Sequence, residues 1–227
     1  MSEKWEWVTL DKLGNIEAGR QASKLDNSLF EGGNIPLIGG EEVSKSRFSV
    51  NPEVKKFYNL KGLRQSKLFS KGKILFIRSG NSAGDSSFLN FDSCLTQNLY
   101  SFSSFKEISD PKFVKYCFNF QNLKTKLIVL SKLQTAQPNL TLTKLFQVKF
   151  PKPPLDIQQK IGEILSRYDL ILDNNEKQIQ LLKNLKISLF KEWFVKLRFP
   201  DYESYSIRGG VTWRLKESQN RRNFKNS

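Results

Sequence analysis

The side chains most often used for catalysis are scarce in this chain of 227 residues, which has no histidine, two cysteines and one methionine. Without histidine there is no Ser-His-Asp triad, no His-activated cysteine and no His-ligated zinc. Cys94 and Cys117 are too few for a four-thiolate metal site or a disulfide framework, and they fit a reduced, cytoplasmic setting. Carboxylate–metal chemistry passes this filter. Its candidates are Asp85, Asp92 and the pair Glu41-Glu42, but none has the Asp…Glu-x-Lys layout of a metal-dependent nuclease. The expectation is therefore no catalytic residue, no metal and no cofactor.

What the chain does carry is positive charge. Lys and Arg number 37 against 22 Asp and Glu, a net of +15, which points to a polyanionic partner. Residues 45–78 hold ten basic residues and one acid, and residues 112–152 hold eight lysines and no acid. Lysines such as Lys45, Lys73 and Lys132 suit phosphates at any sequence. Arg47, Arg64 and Arg78 suit base edges, because a planar guanidinium bonds a guanine twice. Asn81, Gln97, Gln134, Gln137 and Asn139 are candidate adenine readers. Ser79–Asp85 (SGNSAGD) is a Gly-flanked loop directly after an apolar run, placing Asn81 and Ser82 where backbone and short polar side chains approach a partner. It lacks the Gly-Lys-Ser/Thr ending of a phosphate-binding P-loop.

These residues need a scaffold. Ile35–Ile38, Ile74–Ile77, Asn98–Phe102 and Gln147–Phe150 are short apolar runs bounded by Gly, Ser, Asn or Pro and read as strands. Asp110-Pro111 reads as a helix cap and first turn, followed by an imperfect stripe of Phe113, Val114, Cys117, Phe118, Lys124, Leu127 and Ile128. Asn139–Thr141 marks another short helix start. Residues 1–154 thus form a mixed α and β domain, and Pro151–Pro154 is expected to end its last strand.

From residue 155 to 198 the pattern changes. Ile157, Ile161, Ile164, Tyr168 and Ile171 recur at heptad spacing, and the register continues through Asn175, Gln178, Leu182, Leu185 and Leu189. One isolated helix cannot bury such a seam, so a partner helix is expected. No stretch is apolar enough to span a membrane. Residues 199–227 form a basic tail, with 217–227 expected to be disordered. Within it Trp213-Arg214-Leu215 echoes Trp5–Leu10 (WEWVTL), as if a second domain had begun.

Joined together, these segments resemble the specificity subunit of type I restriction-modification systems. Trp7–Leu10 (WVTL) looks like the opening of that family's target-recognition domain, Lys71–Gly80 (KGKILFIRSG) is similar to its strand and loop, and Gln137–Leu140 (QPNL) resembles a further segment. Pro153–Ile161 (PPLDIQQKI) looks like the entry into the family's conserved-region helix, and Leu189–Pro200 (LFKEWFVKLRFP) is similar to its link to a second recognition domain.

The resemblance implies an α+β target-recognition domain with a twisted β-sheet and short helices, followed by one long coiled-coil-type helix. It also implies a non-catalytic reader of double-stranded DNA that docks methyltransferase and endonuclease subunits. No Asp/Asn-Pro-Pro-Tyr/Phe motif of an adenine methyltransferase is present. One recognition domain with one helix corresponds to half of such a subunit. It would bind half of a bipartite site and pair with a second copy or another half-subunit. The alternative is a stand-alone or degenerate nucleic-acid-binding dimer with no modification partner.

Overall fold

A computed structural model describes residues 5–51, 53–133 and 138–202, with backbone alone at 205–207 and 213–215. Two compact units, Met1–Leu170 and Ile171–Ser227, divide the chain.

In the first unit the central strand is β6 (Lys73–Ile77), in a four-stranded antiparallel sheet ordered β2 (Gly14–Ala18), β9 (Leu99–Ser104), β6, β7 (Ser86–Leu89). Alternate residues of a strand face opposite sides. Ile74 and Phe76, with Tyr100 and Phe102 of β9, enter a core built with α3 (Pro111–Asn119) and α4 (Gln121–Lys132). Leu75, Ile77 and Leu99 enter a second core with Val43 of α1 (Gly40–Lys45). Both faces of β6 are covered, so it reads as a continuous apolar run instead of an alternating one. A second sheet is ordered β4 (Phe57–Tyr58), β3 (Ile35–Ile38), β8 (Ser93–Leu95), β5 (Leu68–Phe69), with β3 and β8 parallel. The short helices α2 (Leu60–Gln65) and α5 (Leu142–Leu145) complete the unit. Cys94 and Cys117 are buried free thiols, and burial pushes Cys117 up to about 12, so both act as packing groups.

Two expectations are corrected. The stripe after Asp110 forms two helices, because Phe120 leaves helical geometry (φ −62°, ψ 123°) between α3 and α4. On one unbroken helix Phe118 and Leu123 would point about 140° apart; the break lets both enter the same core. The last strand does not end before Pro151. Strand β10 (Lys149–Lys152) runs through it, with Pro151 opposite Trp7 of β1 (Glu6–Thr9). That ribbon has only two strands, so a residue lacking an N–H is tolerated at its outer edge.

Helix α6 (Leu155–Phe190) has 36 residues, about 54 Å at 1.5 Å per residue. Its first turns dock on the domain through small and polar residues: Gln158, Gly162 and Ser166 are buried. Gln158 accepts from Asp110 N and donates to the carbonyls of Ile108 and Pro153, so its buried amide is satisfied. A Cβ on Gly162 would lie 2.6 Å from Asp110 Oδ1 and 3.0 Å from Phe113 N. Asp110 caps α3 by accepting from Phe113 N at 2.8 Å and has no room to yield. Alanine favours an exposed helix over glycine by about 1 kcal/mol. At Gly162 the sign should reverse, with Gly162→Ala losing roughly 1–3 kcal/mol in urea unfolding. A gain in stability would show that the helix is not seated this closely.

In the second unit the rest of α6 ends in a π-type turn, Lys191–Val195, closed by Lys196 N donating to Lys191 O; Arg198 N then donates to Glu192 O, with Leu197 in the left-handed region (φ 55°). Strands β11 (Tyr205–Ile207) and β12 (Trp213–Leu215) form an antiparallel hairpin. Residues 217–227 lie outside the described residues. Among the described residues no helix is long and apolar enough to cross a membrane.

Candidate nucleic-acid interface

The Gly-flanked loop begins where β6 ends. Ile77 of β6 lies opposite Leu99 of β9, so Arg78 is the first residue beyond the paired strands. Its N–H donates to Asn98 O at 2.9 Å and its carbonyl accepts from Leu140 N at 2.6 Å. The guanidinium carbon sits 5.2 Å from the centre of the Tyr100 ring, over its face, a cation–π contact that favours a fixed position. Within the loop, Gly80 and Gly84 take φ of +93° and +94°, which side-chain-bearing residues rarely adopt. Gly84 N donates to Ile77 O, Ala83 N to Gly80 O and Asp85 N to Ser82 O. Asn81 is exposed at the tip and Ser82 is half-buried.

A second segment clasps the loop. Gly80 N donates to Pro138 O, and Ser79 bridges Asn139 as an isolated antiparallel pair. Asn139 N donates to Ser131 O at the end of α4, next to exposed Lys132. The Oδ1 of Asn139 is buried without a hydrogen-bond partner among the described residues. On the other side lies the Thr96–Asn98 turn, where the Thr96 hydroxyl donates to Asn98 Oδ1 and Gln97 is exposed. Arg78, Asn81, Ser82, Gln97, Lys132 and Asn139 therefore belong to one cluster of segments.

The remaining expected residues stand apart. Lys73 is at the other end of β6, about 16 Å along a strand rising 3.3 Å per residue; it donates to Ser103 Oγ and lies 5.8 Å from the Phe69 ring centre. Lys45 pairs with Glu41 at 2.6 Å, and that hydrogen bond holds the Glu41 carboxyl below its usual range. Arg47 and Arg64 are exposed beside α1 and on α2. Gln134 and Gln137 lie outside the described residues. On α6, Ile157 and Ile161 are half-buried, whereas Ile164, Tyr168, Ile171, Asn175, Gln178, Leu182, Leu185 and Leu189 are exposed.

The carboxylates weighed for metal chemistry have structural partners. Asp85 pairs with Lys124 at 3.0 Å, Asp92 accepts from Lys71 N, and Glu42 accepts from Gly39 N. No group of three His, Cys, Asp or Glu among the described residues could hold a metal ion. A cavity of about 600 Å³ opens between Lys24, Phe30, Gly33, Lys56 and Phe57; Lys55 and Lys56 of the basic zone line it, and none of the candidate base-reading residues does.

Three contributors escape a reading of the sequence. Tyr100 supports Arg78 from the neighbouring strand. Lys144 donates to the carbonyls of Leu133 and Asn139, so it ties the clasping segment to α5. Lys124 holds Asp85 from 39 positions away, a pairing no local pattern encodes.

A basic α+β domain with a clasped loop on its central strand, continuing into a long helix, defines a class of modules built for recognition. Residues 2–184 match the family model described as the type I restriction modification DNA specificity domain, and the chain belongs to this family. It is 23% identical over 197 residues to the type I restriction enzyme MjaIX specificity subunit of Methanocaldococcus jannaschii, covering 84% of this chain and 44% of that protein. The MjaVIII specificity subunit of the same organism is 25% identical over 195 residues, covering 86% of this chain and 43% of that protein. The chain thus spans less than half the length of these curated relatives. Its fold is shared with the type I restriction-modification S subunit from M. genitalium, at a TM-score of 0.62 and 19% identity, covering 86% of this chain and 48% of that one.

Proposed function

We propose that this chain recognises DNA sequence for a type I restriction-modification complex, reading one half of a bipartite site. In this reading residues 1–154 hold the duplex, residues 155–198 form the helix that meets a partner, and no catalysis is performed by the chain itself. Lysines anchor phosphates, while Arg78, Asn81 and Gln97 read base edges. The observation that carries this reading is the loop at Arg78: a guanidinium held over the Tyr100 ring with an exposed Asn81, pinned on both sides in a protein of net charge +15. The test is adenine-methylation sequencing of the host genome with and without the chain. Loss of one gapped motif on deletion is expected, and an unchanged methylome sinks the complex.

The exposed seam of α6 favours a helical mate, either a second copy or another half-subunit, with methyltransferase subunits docking on the same helix and an endonuclease subunit joining for cleavage. Leu182 and Leu185 are 64% and 54% exposed, and a row of such residues in register would be costly to leave in water. The wild-type protein is expected at twice 26.3 kDa in light scattering, and Leu182→Glu with Leu185→Glu is expected at the single mass. A wild-type particle of single mass removes self-pairing from the proposal. The same seam also suits the second reading, a nucleic-acid-binding dimer with no modification partner, which the methylome result separates from the first.

A further inference from the structure

We propose that Lys124 is a positioning residue for DNA discrimination, acting through α4 as the backing of the 79–85 loop; this rests on the DNA-reading assignment above. One twelve-residue helix reaches both ends of the loop. Near its start, Lys124 Nζ lies 3.0 Å from Asp85 Oδ1. One turn on, the fully buried Leu127 presses on Gly84, whose absent Cβ would sit 3.4 Å from Leu127 Cβ. At the end of the helix, Ser131 O accepts from Asn139 N at 2.8 Å. The segment so held then accepts from Gly80 N through Pro138 O and donates to Arg78 O from Leu140 N.

The loop is therefore fixed at 78–80 and at 84–85 by the same element, and Asn81 and Ser82 are suspended between the two fixings. Gly80 and Gly84 are backbone points that, left unbraced, tolerate many conformations. Lys124 carries one of the charges in the acid-free lysine zone, yet its ammonium is committed to a carboxylate within the protein. Its removal should disturb where base-reading groups stand and should leave the number of phosphate contacts unchanged.

That difference has a distinct signature. Each phosphate contact contributes about 0.9 to the slope of log affinity against log salt. A duplex selected by the wild-type protein from a random library, and a scrambled duplex of equal length, serve as probes across a salt series. Lys124→Met is expected to lower the preference for the selected duplex roughly tenfold, about the worth of one mismatched base pair, with the slope unchanged. The exchange Asp85→Lys with Lys124→Asp is expected to restore most of the preference, which also controls for folding.

A slope smaller by about one with preference intact would make Lys124 a phosphate contact and overturn the proposal. So would a variant indistinguishable from wild type, or an exchange that restores nothing. A wild-type protein that selects no sequence at all overturns the functional reading itself, a result distinguishable from all of these.

Discussion

Arg78→Ala should lower the preference for the selected duplex over a scrambled one by roughly 1–3 kcal/mol, or about 5- to 150-fold. The expectation is this large because the side chain loses little freedom on binding. Its backbone is pinned by Asn98 and Leu140, and its guanidinium already lies against Tyr100. Arg78→Lys sharpens the test. Lysine retains the charge and forfeits the planar fork, so the salt slope should hold while the preference falls nearly as far as with alanine. Preference retained by lysine would reduce Arg78 to a phosphate anchor.

Lys115→Met is expected to stabilise the protein, with a gain that depends on pH. Lys115 is fully buried in α3 and donates to Asn119 Oδ1 at 3.0 Å. Burial lowers its pKa to about 8, against the pull of Asp169 and Asp85 and with a push from Lys124. Asp169 itself accepts from the Tyr116 hydroxyl at 2.5 Å. Below pH 8 both folded and unfolded chains hold the proton, and the full cost of burying the cation is present. Between pH 8 and 10.5 the unfolded chain binds more protons, so wild-type stability should climb with pH across that window. The difference corresponds to about 3 kcal/mol at neutral pH. Methionine has similar volume and no charge, so its advantage should approach that figure at about pH 7 and fade by about pH 10. Denaturant unfolding at several pH values checks this. An advantage that stays constant with pH would mean that Lys115 escapes to water.

Some of this architecture is legible in the residues. Ile35–Ile38 forms the strand its composition indicates, and the run at Ile74–Ile77 is extended by only Lys73. Strands β7 and β8 escape because serine replaces the expected apolar alternation: Ser86, Ser87 and Ser93 are buried despite their hydroxyls. The break at Phe120 has no Gly or Pro to announce it and arises from what Phe118 and Leu123 pack against. At the candidate site, Arg78, Asn81 and Ser82 lie within five consecutive positions and are visible as a unit. Lys73, five positions before Arg78, has the same character but sits at the far end of its strand, because distance along an extended chain grows fast. The Lys124–Asp85 pair depends on where two helices fold back over a sheet, and no spacing rule reports that.

The pairing of β1 with β10 has a consequence for inheritance. Glu6 stands directly across from Lys152, with their charged groups 3.4 Å apart, so the point where the chain enters this lobe neighbours the point where it leaves. A lobe whose doorway and exit share one sill is a cassette: it can be transplanted, duplicated or circularly rewired without re-routing the neighbouring chain. Any such exchange must carry the seat of the rod with it, because Gln158 and Gly162 meet Asp110 inside the lobe.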